Sequence, residues 1–192
     1  MLMLCAILFP ILAGLGLAAW RPHGRIARQN YVLASACITA ALALWAVFTL
    51  RDGPLFTLLT MGDHLSIAFR VDGLSCLFAA LVSVLWPLAC LYAVEYMSRE
   101  GHENRFFTFY LASFGVTLGI AFSANALTMY LFYELLTLAT LPLVMHAMDS
   151  KARYAGRKYL VYSLSGAAFA FIGIVFLLNY GVGHLNFTYG GI

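Results

Sequence analysis

The chain has 192 residues, of which 63% are apolar and 10% charged, where a soluble domain carries about 25% charged residues. With a mean hydropathy of +0.89 it has too little polar surface to clothe a water-soluble fold of this size, and it belongs in a lipid bilayer. Its net charge of +3 comes from eleven Lys and Arg scattered between apolar blocks, which leaves no electrostatic footprint for nucleic acid.

A hydrocarbon core about 30 Å thick takes roughly 20 apolar residues in helix. Six segments meet that length, at about 2–20, 31–50, 74–96, 106–123, 126–147 and 159–180, so the expected fold class is an all-α, polytopic membrane protein with six transmembrane helices. The first segment has no Lys or Arg ahead of it and is longer than a signal-peptide core, which marks it as an uncleaved span. Cys5, Cys37, Cys76 and Cys90 lie inside apolar runs without CxxC or Cys/His ligand spacing, and read as small core residues rather than disulfides or metal ligands.

Basic residues set the orientation. Arg21, Arg25 and Arg28 follow the first span, Arg99 and Arg105 lie between the third and fourth, and Lys151, Arg153, Arg157 and Lys158 lie between the fifth and sixth. These nine share one side of a six-span chain, against Arg51 and Arg70 on the other. The bias puts the basic loops inside and both termini outside.

The outer stretch from 51 to 73 is the one segment with room for structure beyond the lipid. Leu65, Ile67, Phe69 and Val71 alternate with Ser66, Ala68, Arg70 and Asp72, the period of a half-buried strand, and Gly62-Asp63 is a turn signal before it. A short β-hairpin over about 55–72 that closes the end of the helix bundle is expected. In the sixth span Gly166, Ala170 and Gly173 form a small-residue stripe that reads as a helix contact. Trp86-Pro87 and Pro142 are expected to bend their helices, because proline lacks the amide hydrogen and crowds the preceding turn.

Glu134 is the one charge inside an apolar span, nearly halfway along the fifth. An ionised residue there costs about 2.5 to 3.5 kcal/mol on insertion scales, so a partner, water or a function must compensate. Tyr130 and Thr137, four residues before it and three after, share its helical face and give a narrow polar strip that should turn to the bundle interior. Pro142 frees the carbonyl of Leu138, where a water could bind. A carboxyl so placed can take or release a proton when its surroundings change. His146 at the inner end of the fifth span is a candidate relay to the inner water. Glu95 lies near the inner end of the third span, within reach of water, and His23, His64, His102 and His184 fall in loops where solvation is the default. The competing reading of Glu134 is an interhelical bond in a non-conducting membrane scaffold that anchors a soluble redox enzyme through its basic loops.

Two stretches carry a family resemblance. Phe69-Arg-Val-Asp72-Gly73-Leu-Ser75, leading to Tyr92-Ala-Val-Glu-Tyr96-Met97, resembles the N-terminal domain of the antiporter-like proton-pumping subunits of respiratory complex I. The same pattern marks the large subunits of Mrp-type Na+/H+ antiporters and of membrane-bound hydrogenases. Asn125-Ala-Leu-Thr-Met-Tyr-Leu-Phe-Tyr-Glu134-Leu, followed by Ala155-Gly-Arg-Lys158-Tyr159-Leu and Ser163, resembles the start of that family's channel domain. The resemblance implies that residues 1–123 form the N-terminal domain and 124–192 the beginning of the channel domain, with Glu134 as the channel glutamate. Tyr133 stands where the family has Trp. Family members run to about twice as many spans around inverted repeats, and the lysines that follow the glutamate there lie in later spans. Lys158, at the inner end of the sixth span, is a candidate lining group and does not replace them.

Those absent spans, and the uncharged ending Gly190-Gly191-Ile192, suggest a truncated piece of a longer protein, the alternative being a split subunit. The implied function is translocation of H+, with Na+ as a candidate exchanged ion. The implied partners are the lipid bilayer and other membrane subunits of a respiratory, antiporter or hydrogenase complex in a bacterial or archaeal cell membrane. No Cys quartet, CxxCH, GxGxxG or Walker pattern occurs, so no redox centre or cofactor is expected in this chain itself.

Overall fold

A backbone in hydrocarbon must satisfy its own amide and carbonyl groups, and a long apolar run does so as helix. The computed structural model describes residues 1–20, 22, 24–51, 53–61, 65–180 and 185–188. Within them lie α1 (Leu2–Trp20), α2 (Arg25–Leu50), β1 (Phe56–Thr60), β2 (Ser66–Phe69), α3 (Gly73–Glu100), α4 (Glu103–Ala121), α5 (Ala126–Val144) and α6 (Ser150–Tyr180). The helix starts are capped as the sequence dictates. Asp72 accepts the amide of Ser75 at 2.8 Å, Asn125 that of Thr128 at 2.8 Å, and Asp149 that of Ala152 at 2.6 Å. Between α3 and α4, Gly101 (φ 78°) and His102 (φ 52°) turn the chain through left-handed conformations.

Five of the six helices are long and apolar enough to cross a membrane; α4 is the exception. The fourth span therefore needs its neighbours. Its first turn carries Glu103, Asn104 and Arg105, and it packs between α1 and α5 with Phe107, Leu111, Phe114 and Leu118 fully buried. The approach to α1 is close because glycines line it: a Cβ at Gly14 would fall 2.5 Å from the Thr108 carbonyl oxygen, and one at Gly115 only 2.3 Å from that of Ile7. On the α5 side, a Cβ at Gly119 would meet the Phe132 ring at 2.2 Å, and Phe132 in turn stands edge-on to Phe69.

The helices outrun the spans at one end. Arg25 and Arg28 lie on α2, Arg99 on α3, and Lys151, Arg153, Arg157 and Lys158 on α6. Three of the expected basic loops are thus largely helix, because long cationic side chains reach water while the backbone stays in its own hydrogen bonds. All of these residues gather at one end of the bundle, where Arg28 of α2 pairs with Glu103 of α4 at 2.6 Å and Arg25 reaches Glu95 of α3 at 3.7 Å.

The hairpin forms at the opposite end, with Phe56 opposite Phe69 and Thr60 opposite Ser66, and an irregularity near Leu58. It does close the bundle, mainly through β2, with Phe56 of β1 packed against the same core. The Ala68 amide donates to the Thr128 hydroxyl at 3.0 Å, the Ala124 amide to the Ala68 carbonyl at 2.9 Å, and Phe69 and Val71 sink between the ends of the helices. Beyond Phe56, strand β1 stays outside, with Leu58 and Leu59 exposed. Residues 185–188 return over the same end, where the Phe187 amide donates to the Ala124 carbonyl and the Phe187 carbonyl accepts from Arg70. The expected turn at Gly62-Asp63, together with Arg21, His23, His64, His184 and 190–192, lies outside the described residues.

The small-residue stripe of α6 is a correction. Gly166, Ala170 and Gly173 are exposed, and a Cβ at either glycine would meet nothing within 4 Å. Helix α6 has α5 as its neighbour and turns Gly156, Ala167 and Ile174 inward instead.

Candidate functional site

Helix α5 places its polar strip against α6. Thr137 is buried, and its hydroxyl lies 3.0 Å from that of Ser163; one turn further on, the Thr140 hydroxyl lies 2.7 Å from the phenol of Tyr159. Tyr130, one turn to the other side of Glu134, rests its ring on Phe171 of α6 at 5.9 Å. Glu134 stands between these contacts, half-buried, with Oε1 shielded from solvent and without a hydrogen-bond partner among the described residues. Of the seven described side-chain atoms that are buried without a partner, it is the one carboxyl oxygen, and a buried group of this kind asks for a cause.

The strip faces a seam at the edge of the six-helix bundle rather than its centre, which α1, α2, α3 and α4 fill. Toward the hairpin end the seam opens into an apolar cleft of 660 Å³ lined by Met129, Tyr130, Tyr133, Ala170, Gly173 and Phe176. The two tyrosines form the polar part of that lining, both within about one helical turn of Glu134.

Of the residues singled out by the sequence, Glu134, Tyr130 and Thr137 come together. His146 and Lys158 do not join them. His146 stands past the end of α5, about 18 Å from Glu134 by helical rise. There its Nε2 hydrogen points to the Gly101 carbonyl at 3.2 Å, and its backbone carbonyl accepts from Arg105. Since a carbonyl only accepts, the first of these bonds fixes the neutral ring with its hydrogen on Nε2. Burial lowers its proton affinity below the ordinary imidazole value, with Arg105 and His102 acting the same way and the Gly101 carbonyl and Glu100 opposing. Lys158 is exposed, its ammonium 4.8 Å from the Tyr154 ring centre. Thr140, Tyr159 and Ser163 also belong to the seam; the family pattern includes Tyr159 and Ser163, but nothing gave any of the three a role beforehand. Their signal was present: the hydroxyls of two antiparallel helices pair in reverse order, 137 with 163 and 140 with 159.

Fold and site together define a polytopic membrane protein with a carboxyl group near the middle of a helix long and apolar enough to cross a membrane. Comparison with known proteins narrows this. The family model described as NADH-ubiquinone oxidoreductase (complex I), chain 5 N-terminus, matches residues 58–107, and that described as NADH:quinone oxidoreductase/Mrp antiporter, transmembrane, matches residues 123–189. The chain belongs to this family of antiporter-like membrane subunits.

Among curated relatives, it is 32% identical over 114 residues to a probable K(+)/H(+) antiporter polypeptide of Rhizobium meliloti, covering 59% of this chain and 11% of that protein. It is 34% identical over 105 residues to a large Na(+)/H(+) antiporter polypeptide of Alkalihalophilus pseudofirmus, covering 54% of this chain and 13% of the relative. Among solved structures, a chain of respiratory complex I from Thermus thermophilus superposes with a TM-score of 0.76 at 21% identity, over 96% of this chain and 38% of the other. A chain of the archaeal membrane-bound sulfane sulfur reductase does so with a TM-score of 0.76 at 16% identity, over 96% and 38%. These two likenesses concern the fold. The chain spans much less than half the length of each relative.

Proposed function

We propose that this chain is part of a proton-translocating membrane subunit, with Na+ as a candidate exchanged ion, and that Glu134 is the group that binds and releases the proton. The observation that carries the reading is the orphaned Oε1 of Glu134, buried beside a hydroxyl-bearing helix seam. Among the described residues no neighbouring helix donates to this oxygen, as an interhelical bond within this chain would require. Membership in a family whose relatives are antiporter subunits supports the same reading. In this reading residues 1–123 brace the bundle and 124–192 begin the ion-conducting part, with Tyr130 and Thr137 lining the carboxylate. His146 and Lys158 stand at the entrance as water-facing groups. The hairpin end faces outward and the basic end inward, as the nine-to-two distribution of basic residues favours.

A hydrophobic carbodiimide tests this. It modifies carboxyls that are protonated in an apolar setting, so in the complete assembly Glu134 should be the modified residue, identified by peptide mass spectrometry, and ion translocation should fall in step with its modification. Full modification of Glu134 without loss of translocation would reject the proposal.

A further inference from the structure

Hydroxyls in membrane helices usually return their hydrogen to a carbonyl one turn back, and Thr39, Thr108, Ser113 and Thr117 all do so at 2.8 Å. The α6 hydroxyls of the α5–α6 seam depart from that habit. Tyr159 and Ser163 of α6 each reach across to a threonine of α5, giving two interhelical hydroxyl pairs in an otherwise apolar contact. Ser165, on the outward side of the same helix, bonds back to Val161 at 2.7 Å. The difference is the neighbour, since both are serines of one helix.

The hydrogens of these pairs can be assigned. The Thr140 oxygen lies 2.7 Å from the Leu136 carbonyl, which takes its hydrogen, so Tyr159 donates to Thr140. The Thr137 oxygen lies 3.5 Å from the Tyr133 carbonyl, too far to hold its hydrogen well, and 3.0 Å from Ser163. Thr137 therefore donates to Ser163, and the serine keeps a hydrogen to give onward. Glu134, Thr137 and Thr140 are spaced three residues apart, about 4.5 Å of helical rise per step, which one bridging water spans with two hydrogen bonds. The order from the basic end is then Tyr159, Thr140, a water, the Thr137/Ser163 pair, a water, and Oε1 of Glu134. Tyr159 is half-buried and sits beside exposed Arg157 and Lys158, where it meets the aqueous side.

We propose that this hydroxyl seam is the route by which a proton from the basic end reaches Glu134, with Ser163 and Tyr159 as its relaying groups. The inference rests on Glu134 being the proton carrier. Each hydroxyl or water accepts a proton on a lone pair as it passes its own hydrogen to the next oxygen, Thr140 by first turning its hydrogen from the Leu136 carbonyl toward the water, so one proton enters at Tyr159 and one arrives on the carboxylate. Rotation of the hydroxyls resets the chain. No co-reactant is consumed.

The test follows the protonated-carboxyl infrared band of Glu134 in the complete assembly, in vesicles, after an acid jump at the face that carries the basic end. The band is assigned by its loss in Glu134→Gln. Ser163→Ala and Tyr159→Phe should each leave the final amplitude unchanged and slow the rise by about a hundredfold, the low end of what a positioned proton donor contributes. Ser163→Thr, which keeps the hydroxyl, should restore the rate, and a role limited to helix packing would not produce that split between rate and amplitude. A band that rises at the parent rate in both hydroxyl-free variants overturns the route and leaves Glu134 as the carrier. Absence of any Glu134 band in the parent overturns both.

Discussion

His146 shows how one residue at the edge of the bilayer responds to pH. Its ring donates to Gly101 and packs edge-on against Phe106 at 5.5 Å, which ties the end of α5 to the turn between α3 and α4. Burial, then Arg105 and His102, push its proton affinity below the ordinary value of 6.5. In the folded chain the ring therefore stays neutral at a pH where the unfolded chain has begun to protonate. The contribution of this tie is present above 6.5 and is lost progressively as pH falls below it. Amide protection in the 145–149 turn should hold above pH 6.5 and decline as pH falls below it, and His146→Gln, which keeps a donor for Gly101 but cannot ionise, should flatten the decline. The same slope in the variant would remove His146 as its cause. At this scale Glu134 was legible in the sequence because a charge in an apolar run has few explanations. Ser163 and Tyr159 entered only as part of a family pattern, because serine and tyrosine are ordinary in lipid-facing helices and only the neighbour gives them a role.

Among the elements, α1 and α4 form the tightest pair, and two glycines make it so. A Cβ added at Gly115 would meet the Ile7 carbonyl oxygen, Ile11 and Pro10, all within 3 Å, and the first of these is backbone that must shift as a unit. Gly115→Ala should destabilise the bundle by about 1 to 3 kcal/mol, the usual cost of overpacking, read as an earlier midpoint of SDS denaturation. Gly166→Ala, where a Cβ meets nothing within 4 Å, should leave that midpoint in place. Equal effects at the two sites would contradict the packing described here. The extents of the spans were readable from apolar run length, and the hairpin from alternation. The stripe in α6 misled because three spaced small residues resemble a contact wherever they occur, while Gly14 and Gly115 are single positions that become a contact only when two helices cross. The reach of α2, α3 and α6 past the lipid was hidden for a related reason: basic residues end a hydropathy window without ending a helix.

For the molecule as a whole, the orientation and the carboxylate carry the account. A cysteine placed at Gly53, near the hairpin, and one at Ser150, at the start of α6, lie at opposite ends of the bundle. An impermeant thiol reagent should label Gly53→Cys from outside intact cells and Ser150→Cys only after the membrane is opened. Labelling of both from one side would refute the arrangement of spans. The seam that holds Glu134 lies at the bundle's edge beside an open apolar cleft, and the chain covers 38% of the structural relatives it superposes on, so the proposed activity is to be measured on the complete assembly. The most direct measurement is the number of protons moved per turnover by that assembly carrying Glu134→Gln, at equal protein abundance. Glutamine keeps the size and hydrogen bonding of the side chain and cannot ionise, so the assembly should form normally and its proton movement through this chain should stop. Proton movement equal to that of the parent assembly would contradict the account.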